Sequence, residues 1–224
     1  MPTTLQQAII VFAKLPIPGM VKSRLSPPLT PEEAARLYAC MLMDTLDRAA
    51  TLSRADRILF YVDEPGAKGY FQELCNAMEI YPQHGEDLGE RMANAFRTAF
   101  SHGYEKVAII GSDSPDLPLE YLEQGLSLLD EAGNDLVFGP ADDGGYYLLA
   151  MRELHEELFS AMEWSTAMVL EQSLARARGA GLGAALLPLW RDIDTIEDLR
   201  LFHAKQENND SGNTRRFLES LQIF

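Results

Sequence analysis

Three basic side chains, Lys14, Lys22 and Arg24, fall within the stretch 12–25, and the first acidic residue of the chain is Glu32. Over 224 residues the formal net charge is −15, so this acid-free opening reverses the field of the molecule around it. It follows an apolar run, Ala8-Ile9-Ile10-Val11-Phe12, that reads as a buried strand. Cations on a loop shaped by proline and glycine, at the end of a first strand, suit phosphate, because strand ends meet helix starts there. Gly19, after Pro16 and Pro18, bends the chain without a side chain to block a ligand. The spacing of Lys22 and Arg24 puts both on one side of an extended segment. Any one of the three would ordinarily be a solvated surface charge. Together they favour a phosphate-binding loop.

Carboxylates at other strand ends supply the complementary chemistry. Asp113 stands in Gly111-Ser112-Asp113-Ser114-Pro115, Asp142 and Asp143 precede Gly144 and Gly145, and Asp192 and Asp194 precede a helix. The carboxyl ends of parallel strands converge on one crevice, so at least two of these clusters can face the cationic loop. Hard carboxylate oxygens beside phosphate describe a site for Mg²⁺ or Mn²⁺, in which one or two carboxylates hold the ion and phosphate and water complete it. Cations and carboxylates together make a transfer site. Bland alternatives stand beside each. Asp113 also reads as a turn residue before Pro115, and Asp142 and Asp143 as the builders of a hairpin turn. Asp194 competes as a helix N-cap with Glu197 at the third helical position, and Asp192 is the other candidate for the second metal ligand. The four histidines have no spacing for a triad or zinc site, and no Gly-x-x-x-x-Gly-Lys-Ser/Thr or Gly-x-Gly-x-x-Gly occurs.

The elements that must position these residues alternate between strand and helix, which predicts one α/β domain with a mainly parallel sheet. Strands are expected at 8–12, 57–62, near 80–81, and at 106–110, 135–139, 146–150 and 184–188. Capping boxes at Thr30–Glu33, Asp87–Glu90 and Asp194–Glu197 open three helices, and Ser165 caps another that reaches Gly179. Further helices are expected at 70–78 and 118–132. The domain is expected over 1–204, with 208–213 a polar linker and a short terminal helix completing 205–224.

Composition removes several classes of partner. The acidic balance argues against nonspecific nucleic acid or anionic membrane. Cys40 and Cys75 lack metal-type spacing and read as buried free thiols. The first apolar run is too short for a signal core or a membrane span, and a cytoplasmic protein is expected. Oligomeric state has no signature in the chain.

Several motifs then occur in a linked order: the segment 12–25, Gln83-His84-Gly85-Glu86-Asp87-Leu88-Gly89-Glu90-Arg91-Met92, Gly111 to Pro115, the Asp142-Asp143-Gly144-Gly145 turn, Trp164-Ser165-Thr166 and Asp192-Ile193-Asp194-Thr195. Over roughly 9–202 the chain resembles a bacterial family of glycosyltransferase-like proteins in the nucleotide-diphospho-sugar transferase superfamily. Its Lys-Ser-Arg-Leu segment and Asp-Gly-Gly turn are also similar to those of 2-phospho-L-lactate guanylyltransferases. Ser23 stands where the family usually has Thr, and the Gly-rich opening of sugar-nucleotide pyrophosphorylases is absent. The resemblance implies a glycosyltransferase A type, Rossmann-like fold. It implies that Lys14, Gly19, Lys22, Arg24, Gly111 and Ser112 meet the nucleotide, that Asp113 and Asp194 hold the metal, and that Asp143, Gly144 and Gly145 border the substrate. Lys22, Arg24 and Asp113 would carry the catalysis.

Two reactions fit such a site. In nucleotidyl transfer, a small phosphorylated acceptor attacks the α-phosphorus of a nucleoside triphosphate; in glycosyl transfer, a nucleoside diphosphate leaves from the sugar carbon of a nucleotide sugar. Clustered cations suit a triphosphate, which favours the first. A nucleotide-binding module without turnover would leave the gathered carboxylates without a purpose.

Overall fold

The apolar run after Gln7 forms an interior strand of a seven-stranded sheet in a computed structural model that describes residues 6–76, 78–205 and 212–221. Strands β1 (Gln7–Ala13), β2 (Asp56–Tyr61), β3 (Glu79–Pro82), β4 (Lys106–Ile110), β5 (Leu136–Pro140), β6 (Tyr146–Met151) and β7 (Ala184–Leu186) lie in the order β3-β2-β1-β4-β6-β5-β7. Every strand runs parallel to the others except β6, which pairs antiparallel with β4 and β5. The expected mainly parallel α/β sheet is therefore present, and its strands read as continuous apolar runs because helices cover both faces.

Alternation along β1 divides the core. Ile9, Val11 and Ala13 pack toward α1 (Pro31–Ala50), α2 (Ala67–Leu74) and α4 (Leu119–Ser127), meeting Leu42, Leu46, Phe71 and Leu122. Ala8 and Ile10 face α3 (Leu88–Ser101) and α5 (Val169–Gly179), meeting Met92, Phe96 and Ala177. A third cluster lies on the outer side of α1. It joins Leu25 and Leu29, in and just after the cationic segment, to Ile193, to Leu199 and Phe202 of α6 (Ile196–Ala204), and to Phe217 and Leu218 of α7 (Asn213–Leu221).

Local chemistry explains most helix starts. Thr30 and Glu33 close a complete capping box ahead of Pro31. Asp87 caps α3 through the Glu90 N–H, but the Glu90 carboxylate takes the Glu86 N–H instead of that of Asp87. Two expected caps are corrected. Asp194 does not cap α6; Thr195 does, in a capping box with Asp198. The equally spaced Thr-x-x-Asp pattern one residue on wins, and Asp194 keeps its side chain for other work. Ser165 does not cap α5, which begins four residues later at Val169; Ser165 instead takes a left-handed backbone, φ 65°. Residues 22–25 are not extended either: Lys22 is left-handed, φ 48°, and Ser23–Leu25 form one 3-10 turn. Of the expected linker 208–213, residues 208–211 lie outside the described residues, and Asn213 already opens α7. No helix among the described residues is long and apolar enough to cross a membrane.

Helix α7 is held by a carboxylate of α1. Asp44 accepts the backbone N–H groups of Asn213 and Thr214 at 2.7 and 2.8 Å and the Asn213 side-chain amide at 2.8 Å. This is a helix cap supplied from another element, so Asp44→Ala should destabilise the protein by about 1–2 kcal/mol. Urea unfolding, with the melting of α7 followed by hydrogen exchange, checks the size and the place of the loss.

Candidate functional site

All the carboxyl ends of the parallel strands lie along one edge of the sheet, and four segments that leave that edge meet there. They are the cationic segment after β1, the 111–118 loop after β4, the β5–β6 turn and the 187–195 segment after β7. Two apolar anchors decide how they meet. Leu25, three residues beyond Lys22, and Ile193, adjacent to Asp194, are both buried in the cluster against α1. Anchoring these neighbours brings the charges together although they are more than 170 residues apart in sequence.

The centre is the ammonium of Lys22. Its Nζ donates to the Ile193 carbonyl oxygen at 2.6 Å and to Asp194 Oδ1 at 2.7 Å, and lies 3.2 Å from Asp113 Oδ1. The lysine side chain is 5% exposed, whereas those of Asp113 and Asp194 are 40% and 42% exposed. Burial works against the charged lysine, but Asp113 and Asp194 outweigh it and hold its pKa above the ordinary lysine value. Burial likewise opposes ionisation of Asp194, yet Lys22 and, farther away, Arg24 and Lys14 keep its carboxyl below the usual range. Lys14 and Arg24 are exposed and form no ion pair among the described residues. Gly19 sits at φ 79° in the turn between them, with Met20 exposed beside it.

The acidic segments are also joined to one another. The Ile193 N–H donates to the Asp113 carbonyl at 3.0 Å, and the Ser114 hydroxyl donates to Asp192. Asp192 thus turns toward Ser114, and Asp194 is the carboxylate that shares Lys22 with Asp113. Burial pushes the Asp192 carboxyl up to about 7, with Asp113 and Asp194 adding to the shift and the Ser114 hydrogen bond and Lys22 opposing it. Below lies a cavity of about 200 Å³ lined by Thr45, Arg48, Leu117, Tyr147 and both Asp113 and Asp192. Arg48 Nε supports the loop from beneath by donating to the Pro115 carbonyl at 3.1 Å.

Tyr38 is a site residue that sequence reasoning missed. From the face of α1 its hydroxyl accepts the Lys14 backbone N–H at 2.9 Å and hydrogen-bonds the Ser112 hydroxyl at 2.8 Å. It ties the end of β1 to the end of β4, and burial, reinforced by Asp113, pushes the phenol pKa up. Its place in the helix period is that of any core residue, so nothing in the sequence singles it out. Gly111 is exposed, and a Cβ there would meet nothing nearer than the Asp113 backbone nitrogen at 4.0 Å.

The Asp142-Asp143-Gly144-Gly145 turn stands at the same edge but does not touch the Lys22 centre. Asp143 Oδ1 accepts the Gly145 N–H at 2.8 Å, which makes it a builder of the turn, while Asp142 pairs with Arg191. The Gly144 carbonyl accepts the Leu170 N–H at 3.0 Å and Gly144 lies against Ala167, so the turn packs on the start of α5 and the segment before it. Trp164 of that segment lies against Gly89 at the start of α3, where an added Cβ would come within 2.5 Å of the indole.

The donor set fits a magnesium or manganese ion in one particular way. Asp113 and Asp194 point hard oxygens at a single cationic position and remain accessible from outside, which suits an ion whose shell is completed by phosphate and water. No group of three or more His, Cys, Asp or Glu residues that would hold a metal by itself occurs among the described residues.

Residues 45–166 match the family described as "Uncharacterized protein conserved in bacteria (DUF2064)". The chain is 31% identical over 185 residues to a 2-phospho-L-lactate guanylyltransferase of Methanothermobacter thermautotrophicus, covering 80% of this chain and 76% of that one. A crystal structure from Desulfovibrio desulfuricans G20, described as a nucleotide-diphospho-sugar transferase, superposes with TM-score 0.89 at 34% identity, covering 96% and 94% of the two chains. CMP:2-keto-3-deoxy-manno-octonic acid synthetase, solved with CTP, shares the fold at TM-score 0.57 and 12% identity, over 88% and 96% of the chains.

Gly144 offers a test of how tightly the turn is built. Its φ is 91°, and a Cβ there would lie 2.1 Å from the Ala167 carbonyl oxygen. Gly133 has the same φ with open space around it. Gly144→Ala should therefore cost more than the strain of about 1–3 kcal/mol that Gly133→Ala is expected to show. Denaturant unfolding of both variants checks the difference.

Proposed function

The chain belongs to the bacterial family DUF2064, and from that premise we propose that it is a nucleotidyltransferase acting on a nucleoside triphosphate and a small phosphorylated acceptor. The observation that carries the reading is the meeting, at one sheet edge, of exposed Lys14 and Arg24 with the Lys22, Asp113 and Asp194 centre. The guanylyltransferase name of the relative from Methanothermobacter supports it.

In this reaction an oxygen of the acceptor phosphate forms a bond to the α-phosphorus, the bond from that phosphorus to the oxygen bridging to the β-phosphate breaks, and pyrophosphate leaves with the electron pair. Lys14 and Arg24 meet the triphosphate and neutralise charge that grows on the departing pyrophosphate. Exposed Gly111 lets the polyphosphate approach the backbone of the 111–118 loop, while Ser112, held by Tyr38, fixes the position of Asp113 beside it. Gly19 keeps the turn between the cations open to the nucleotide. Asp113 and Asp194 are the residues that would hold the magnesium or manganese ion, which when bound draws electron density from the phosphate oxygens. The Asp143-Gly144-Gly145 turn, rigid through its own hydrogen bond, borders the acceptor.

Nucleotide-sugar-dependent glycosyl transfer is kept as a second reading because of the strong likeness to the protein described as a nucleotide-diphospho-sugar transferase. The products separate the two. With Mg²⁺, a panel of nucleoside triphosphates and small phosphorylated acceptors, 2-phospho-L-lactate first among them, the protein should release pyrophosphate. Nucleoside diphosphate released from a nucleotide sugar, with no pyrophosphate from any triphosphate, would replace nucleotidyl with glycosyl transfer. Asp113→Ala should lower turnover by about 100-fold or more while the far-ultraviolet spectrum stays unchanged. Mg²⁺ with the right triphosphate should also raise the melting temperature of the wild type.

A further inference from the structure

The ammonium of Lys22 is committed within the chain. It donates to the Ile193 carbonyl and the Asp194 carboxylate and forms an ion pair with Asp113, and its side chain is almost entirely shielded from solvent. A lysine presented to a phosphate would hold donors open, as exposed Lys14 and Arg24 do. Lys22 instead fills the position between two accessible carboxylates with a cation that the chain itself supplies.

Resting on the reading that Asp113 and Asp194 share a divalent ion with the nucleotide, we propose that Lys22 is an exchangeable occupant of that pair. Its ammonium excludes a free divalent ion and releases the carboxylates only to a metal that arrives with a polyphosphate. The charges support exchange. The two carboxylates carry two negative charges and Lys22 cancels one, so a bare divalent ion meets a half-neutralised pair and a like charge within a few ångströms. A polyphosphate changes this, because its oxygens take over the ammonium as the metal takes the carboxylates. The lysine stem is flexible enough to move the charge while the backbone stays in place. That backbone is fixed by Val21 before it and Leu25 after it, both buried. Lys22 thereby becomes the residue that makes the carboxylate pair favour a metal–nucleotide complex over the free ion.

The test titrates Mn²⁺ into the full chain without nucleotide, followed by electron paramagnetic resonance of the free ion. Lys22→Met is expected to bind Mn²⁺ about tenfold or more tightly than the wild type, because the competing charge is gone. The gain should vanish in Lys22→Met combined with Asp194→Asn, which shows that the ion sits on the carboxylate pair. Lys22→Gln, which keeps donors without charge, should gain like Lys22→Met and serves if the latter does not fold. Lys22→Arg, which keeps the charge, should stay near the wild type. A wild type that binds free Mn²⁺ as tightly as either neutral variant overturns the proposal, as does a gain that survives Asp194→Asn. Pyrophosphate release by the unaltered chain tests the underlying reading separately and is untouched by a negative result here.

Discussion

One buried ammonium organises the functional edge of this protein. In a chain with net charge −15, Lys22 is the cation that lets Asp113 and Asp194 stand side by side, and it also takes the carbonyl of the segment that carries Asp194. Burying a charge is costly unless partners satisfy it, and here two hydrogen bonds and a second carboxylate do. The loops after β1, β4 and β7 therefore cannot be described independently. Each supplies one part of a single electrostatic unit, and the Ile193 N–H to Asp113 carbonyl bond locks two of them again through the backbone.

Apolar packing is what makes the unit affordable in conformational terms. Lys22 lies one residue after buried Val21 and three before buried Leu25, and Asp194 follows buried Ile193 directly. The side chains that do the charge chemistry are thus carried by neighbours already fixed in the core, so little further ordering is needed to bring the charges into contact. The same cluster extends to Phe217 and Leu218 of α7. The C-terminal helix consequently stabilises the surface on which both charged segments are anchored, without itself approaching the Lys22 centre.

The sheet was legible in the sequence because its signals are local. The run 106–110 coincides with β4, the expected 184–188 overruns β7 by two residues, and Thr30-Pro31-Glu32-Glu33 starts α1 as its capping chemistry requires. The strand-end position of Asp113 was legible for the same reason. Other features were decided by tertiary contacts or by close competition between patterns. Asp194-x-x-Glu197 and Thr195-x-x-Asp198 are both capping boxes, offset by one residue, and only the fold selects the second. The left-handed backbone of Lys22 carries no sequence mark, since lysine rarely adopts it, so the expected extended arrangement of Lys22 and Arg24 gives way to a 3-10 turn. Tyr38 is hidden in the same way, as its hydroxyl matters only once β1 and β4 are neighbours.

Rigidity differs between the two sides of the edge, and the difference follows from which groups are left open. On the side of the cationic segment, Lys14 and Arg24 are exposed and no carboxylate pairs with them among the described residues, whereas Tyr38 fixes the backbone beneath. Flexible charged tips on a fixed base can follow a polyphosphate while the strand ends stay in register. On the other side, the Asp143 carboxylate is folded back onto Gly145, Asp142 is paired with Arg191, and Gly144 is pressed against Ala167. Its carboxylates are engaged by the Gly145 N–H and by Arg191, so this wall presents mainly shape and backbone. Exposed cations on one wall and a preformed turn on the other differ in physical character, which fits the two ligands proposed for this edge, charge for one and contour for the other.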